Sequence, residues 1–193
     1  MEKMNTVESS AAGVAKGNGH GESMALHGHY DIVCVGADGE VKWTDTIENL
    51  VVNVGKADLL DKYLAGSTYT AAWYLGLVDG GSAPTYNAAD TLASHATWTE
   101  NTSAYTQSNR WTVAWNAATG TGGGAGSAGT GSKSTTATAV AISGTATIAG
   151  CLLTVTQAKA TTTGVLLSAG SFTGGNRSVI SGDTLNITFT LTC

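Results

Sequence analysis

Proline occurs once, at Pro84, and charged side chains make up only 12% of the 193 residues. So low a charge, joined to many β-branched residues, excludes the disordered class, which needs high net charge and few such residues. Nine Lys and Arg stand against fourteen Asp and Glu, scattered and without a basic cluster. The net charge of −5 therefore argues against a nucleic-acid partner, because phosphate neutralisation needs a basic face. No apolar run reaches the ~18 residues of a spanning helix, and residues 1–26 hold no apolar stretch of the secretory kind. No membrane partner is expected, and the chain reads as one made in the cytoplasm. Cys34, Cys151 and Cys193 lie far apart with no C-x-x-C spacing. That pattern favours free, buried thiols over a disulfide framework.

What is abundant is Thr, Ala and Gly, with 26 glycines punctuating the chain. This composition suits strands with polar but uncharged faces, and the length suits one domain with a real core. Residues 1–26, small and polar, read as a flexible N-terminal arm, and 27–193 as a single β domain. Tyr30–Gly36 and Val41–Thr46 form a predicted hairpin around the turn Ala37-Asp38-Gly39. Residues 55–65 (GKADLLDKYLA) carry the one helical pattern, with Ala57, Leu60 and Leu64 on an apolar face beside Tyr63. Asn53 is its expected cap and Gly66 its expected terminator. Thr70–Val78 is apolar on both faces, as a central strand would be. Residues 89–95 suggest a helical turn or two capped by Asp90. In 109–115, Trp111, Val113 and Trp115 share a face at period two. Residues 118–136 are Gly/Ser/Thr-rich and read as a mobile loop; Lys133 there lacks the strand and helix that a phosphate loop requires. Strands follow at 137–143, 145–156, 163–169 and 184–192, the last alternating Leu185, Ile187, Phe189, Leu191 inward. The predicted fold is all-β: an antiparallel, jelly-roll-like β-sandwich with one short helix.

Candidate chemistry is thin. His20, His27 and His29 hint at metal, but no carboxylate or cysteine stands at ligand spacing. Asp90, Ser94 and His95 resemble fragments of a triad, whose members are normally distant in sequence; capping and turn hydrogen bonds account for them better. Asp79, Asp90 and Glu100 supply carboxylates without a spacing that marks a glycosidase pair, and Asp183 reads as a turn former. Trp73, Tyr74, Trp98 and Trp111 could stack on sugars, though core or subunit interface is the commoner role. No catalytic set, cofactor site or metal site is expected. Trp73, Tyr74, Asp90, His95, Trp98, Arg110 and Trp111 stand as structural or interface candidates.

Five segments carry a resemblance: AWYLGLVDG, ADTLASHATWTE, Tyr105 with Arg110-Trp111, TATIAGCLLT and SGDTLNITFTLT. Over residues 48–193 their order resembles a family of small virion structural proteins of tailed bacteriophages. The resemblance implies a non-enzymatic capsid decoration (cement) protein on the outer capsid surface, made in the bacterial host cytoplasm. Its implied partners are the major capsid protein and copies of itself, a trimer suiting three-fold junctions. The alternatives are a tail or fibre component and a carbohydrate-binding module contacting the host surface.

Overall fold

The computed structural model describes residues 25–66, 68, 72–81, 83–122 and 130–193. Among them the β-branched segments form eleven strands: β1 (His27–Val35), β2 (Val41–Val51), β3 (Trp73–Asp79), β4 (Trp111–Val113), β5 (Thr119–Thr121), β6 (Thr130–Ser134), β7 (Thr138–Ala141), β8 (Ala146–Thr154), β9 (Leu166–Ser171), β10 (Arg177–Val179) and β11 (Thr184–Thr192). One helix, α1 (Asn53–Leu64), follows β2. The strands make a single curled antiparallel sheet in the order β4-β3-β8-β9-β2-β1-β11-β6-β5, with β10 against β8 and β7 against β11. The fold is thus all-β and sandwich-like, as the composition predicts.

The curl folds the sheet into two facing layers. In one, β1 pairs along its whole length with β11 and with most of β2. In the other, β8 lies between β3 and β9. β2 belongs to both, because Leu50 and Val51 leave β1 and pair with Ala169 and Ser168 of β9. Between the layers, Tyr30, Ile32 and Cys34 of β1 and Leu185, Ile187 and Phe189 of β11 meet Leu75, Leu77, Cys151 and Leu153. The buried Tyr30 hydroxyl shares a 2.7 Å hydrogen bond with Ser168 Oγ across the two layers. The alternation read from β11 appears as written, with Leu185, Ile187 and Phe189 buried and Leu191 half-buried.

The second layer is apolar on its outer face too. Val78, Leu152, Leu166 and Ala169 point away from the first layer and pack with Val52, Leu92 and Trp98. Leu75–Val78 are buried in succession, as the doubly apolar sequence predicts, and so are Ile148–Thr154, which the sequence marks only as a strand. The cover is the connection that follows Asp79, together with α1.

Several local expectations are corrected. α1 begins at Asn53, so Asn53 is inside the helix and does not cap it; Val52 precedes it with no side-chain cap. Gly66 does end it, at φ +67°. The buried face is also different: Leu60, Tyr63 and Leu64 are exposed, while Gly55 is buried and Leu59 packs on the core. A Cβ at Gly55 would stand 2.8 Å from the Leu167 backbone, so the closest approach is made by a residue without a hydrophobic signal. Residues 89–95 form turns, not helix. The Gly-rich segment is partly ordered into β5 and β6, which pair with each other and, through β6, with β11; residues 123–129 lie outside the described residues. β10 is a strand that sequence reading missed. Of the expected arm, residues 1–24 lie outside the described residues, while Leu26 packs on the core and β1 starts at His27, earlier than Tyr30.

Ion pairs tie the ends together. Lys42 Nζ donates to both oxygens of the buried Asp183, at 3.0 and 2.7 Å, and Ile180 N–H donates to one of them. Asp183 does form the predicted turn, and also anchors the β1–β2 hairpin. Arg177 Nε donates to Asp45 at 2.8 Å, joining β10 to β2. Burial pushes the Asp183 carboxyl up, but the Lys42 and Ile180 hydrogen bonds outweigh it and hold it below its ordinary 3.8. Asp45 is likewise raised by burial and drawn down further by Arg177 and two backbone N–H groups. A carboxyl lowered on folding stabilises above its ordinary value, and that contribution is lost as pH falls through the folded value. Resistance to urea is therefore expected to weaken below about pH 4, and Asp183→Asn to flatten that acid limb while lowering stability at pH 7 by about 1–3 kcal/mol.

All three thiols are free, Cys34 and Cys151 buried and Cys193 exposed, so the expectation of buried thiols fails for the third. Burial pushes the Cys34 thiol up to about 11 and raises Cys151 further. A thiol-specific colorimetric titration should find one fast-reacting group per native chain, and three after denaturation.

Candidate functional site

The cover over the outer face of the β3–β8–β9 layer is built around Trp98. Its indole Nε1 donates to Asp90 Oδ2 at 2.9 Å, and Asp90 Oδ2 also accepts from Asn87 N–H. His95 stacks on the Trp98 ring at 3.9 Å between centroids, its Nδ1 2.8 Å from the Trp98 carbonyl. Tyr86 flanks the same indole at 6.0 Å and accepts a hydrogen bond from Ser171 of β9. Burial pushes the Tyr86 phenol up to about 12. Trp98 is 2% exposed, so neither face is open for stacking on a ligand.

Immediately after this knot the chain pairs with the end of β3: Glu100 bridges Val78, Asp79 N–H donates to Thr99 and Asn101 N–H to Leu77. The pairing aims the Glu100 side chain back over the sheet above Gly76. A Cβ at Gly76 would lie 2.8 Å from Glu100 Oε1, so a glycine in a central strand makes room for a carboxylate. Arg110 then enters just before β4 and meets it. Its Nε and Nη2 donate to the two Glu100 oxygens at 2.7 and 2.9 Å, and its Nη1 donates to the Thr156 carbonyl at 2.7 Å. Both side chains are buried, at 1% and 7% exposure. Glu100 Oε2 also accepts the Ala160 N–H at 2.6 Å, and Ala160 holds a left-handed φ of +57°. Lys159 pins that loop, its ammonium 4.0 Å over the Tyr105 ring and bonded to the carbonyls of Thr102 and Tyr105. Tyr105 in turn lies against Trp111 at 4.2 Å, and burial with the nearby Glu100 raises its phenol.

Between the Trp98 knot, the ion pair and the loop at 160–162 opens a cavity of about 300 Å³. Leu92 and Leu152 form its apolar side; Glu100 and Arg110 give it a polar wall; Thr99, Thr102, Thr161 and Thr162 edge it. Asp90, His95, Trp98 and Arg110 thus converge on one region, and Trp111 reaches it through Tyr105. Trp73 does not: it pairs with Val113 and packs, half-buried, on the core between the layers. Tyr74 lies on β3, half-buried and opposite Thr154 and Thr112, and does not line the cavity.

The remaining candidates resolve simply. His27 and His29 share the outer face of β1, and His29 Nε2 is 3.2 Å from Asp31; His20 lies outside the described residues. His95 turns to a backbone carbonyl and Asp90 to an indole, so neither is placed for a triad with Ser94. Asp79 accepts from Asn101 and the Gly81 N–H. Sequence reading missed the Glu100–Arg110 pairing, the part of Gly76 and the loop at 160–162. One signal was present: an arginine set against the apolar run WTVAW.

Removing one partner of a buried pair strands the other charge. Arg110→Met is therefore expected to lower stability by about 3–5 kcal/mol, and the double variant Glu100→Gln/Arg110→Met to recover most of it. Equilibrium urea unfolding of the three chains at pH 7 checks this. Comparison of the chain with family models, curated proteins and solved structures finds no match to any of them.

Proposed function

We propose that the protein is a non-enzymatic virion structural protein of a tailed bacteriophage, one that decorates the outer capsid surface and stabilises the shell by bridging major capsid protein subunits. The observation that carries this reading is the outer face of the β11 half of the first layer. Cross-strand partners share a face, so the registers place Thr184, Asn186, Thr190 and Thr192 of β11 beside Ala141, Ala139, Ser134 and Ser132. Thr119, Thr121 and Thr130 extend the same face to the β5 edge. Among the described residues this half of the face carries no charged side chain, whereas the β1–β2 half bears His29, Asp31 and Glu48. A surface of small hydroxyl and methyl groups docks against another protein without desolvating ions, and interface centres are depleted of charge for that reason.

The internal use of charge supports the same reading. Arg110, Arg177 and Lys42 are engaged by Glu100, Asp45 and Asp183. Such groups rigidify a scaffold. Many copies on a symmetric shell would add modest contacts into a large total.

The test is addition of the purified chain to preformed empty heads. Saturable binding at many sites, with a rise in the heat stability of the heads, is the expected result. Ala139→Lys/Ala141→Lys, on the charge-free face, should abolish binding and leave the melting temperature of the free chain unchanged. A few copies at one vertex, or none on heads and some on tails, would replace this reading with that of a tail component.

A further inference from the structure

Three features that cost stability meet at one wall of the cavity beside Trp98. The Glu100–Arg110 pair is buried, where apolar side chains of equal volume would usually be at least as stable. Gly76 leaves a paired strand without a side chain to admit the Glu100 carboxylate. Ala160 adopts a left-handed backbone without being glycine, held by its N–H on the same carboxylate. If the region served only to cover the sheet, Leu and Val would do so with none of these costs, as they do around Leu166 and Ala169. Strain and buried charge that gather at a cavity are the mark of a surface shaped for a ligand.

The chemistry of the wall narrows the ligand. Glu100 and Arg110 cancel one another in a two-pronged pair, so the cavity offers no net charge to a charged guest. It does offer fixed donors and acceptors, and the hydroxyl-bearing residues Thr99, Thr102 and Thr162 edge it. Leu92 and Leu152 face them as an apolar side. A neutral ring with hydroxyls on its rim and one C–H face matches this arrangement, and about 300 Å³ admits one such ring. We propose that this cavity is a binding site for a single neutral sugar residue. The buried Trp98 acts there as the support that fixes His95 at the wall, not as a stacking platform. The site stands independently of the virion role.

An NMR titration of the full chain tests it, using D-glucose, D-galactose, N-acetyl-D-glucosamine and L-rhamnose as neutral probes, with glucuronate and glucosamine as charged counterparts. At least one neutral sugar should shift the Trp98 indole N–H and the Thr102 and Thr162 amides. A ring of about a dozen heavy atoms sets the expected Kd on the order of 1 mM. The near-isosteric Thr102→Val/Thr162→Val chain should bind about tenfold more weakly, with an unchanged melting temperature. The proposal is overturned if no neutral sugar shifts these signals at ten times that concentration. It is equally overturned if the charged counterparts bind as well, or if the valine chain binds undiminished. None of these results would touch binding to heads.

Discussion

The β3–β8–β9 layer is apolar on both faces, and that constraint organises the rest of the molecule. One face is satisfied by the opposing layer; the other would expose Val78, Leu152, Leu166 and Ala169 to water if nothing lay over it. At about 25 cal/mol per Å² of apolar surface, leaving such side chains open would cost several kcal/mol. A connection of some thirty residues between β3 and β4 is therefore a covering layer and not slack. Its anchor is Trp98, driven onto the sheet by its size and held in orientation by Asp90 and His95. Where a cover ends, a cleft is left, and the cavity with its ion pair sits at that margin.

Charge in this protein is rare, and its most buried members are paired. The Lys42–Asp183 and Asp45–Arg177 pairs join segments distant in sequence, the Glu100–Arg110 pair closes ten residues of the β3–β4 connection, and each leaves at least one partner almost wholly out of water. Such pairs add little net stability over apolar packing but tolerate no wrong partner. They fix how loops seat on the sandwich. Among the described residues, the outer face on the β11 side is free of charge because its strands carry Thr, Ser, Asn and Ala outward.

Much of the sandwich was legible because burial writes period two into a strand. β11 declares its inner face residue by residue, and the unbroken apolar run of β3 announces burial on both sides. What could not be read was set by partners outside the segment. β6, a Gly/Ser/Thr run with no hydrophobic period, is a strand because the end of β11 offers it a ladder. α1 turned its apolar stripe outward because Gly55, invisible to any hydrophobic pattern, allows the nearer approach to Leu167. The candidate region was half legible. Asp90, His95, Trp98 and Arg110 stood out as unusual residues in a plain sequence, yet nothing local told that Arg110 would find Glu100 above a glycine in another strand.

The pairing of β1 with β11 over nine residues, from one end of the described chain to the other, has a temporal side. A ribosome delivers β1 before β11, so β1 must wait with one edge unsatisfied while everything between is made. Contacts of such long sequence separation are closed late and slowly, on the scale of milliseconds to seconds. The nascent chain therefore passes through a stage in which an apolar strand edge is open to any neighbour. The same edge that finally closes the sandwich is, until then, the place where a second nascent chain could enter.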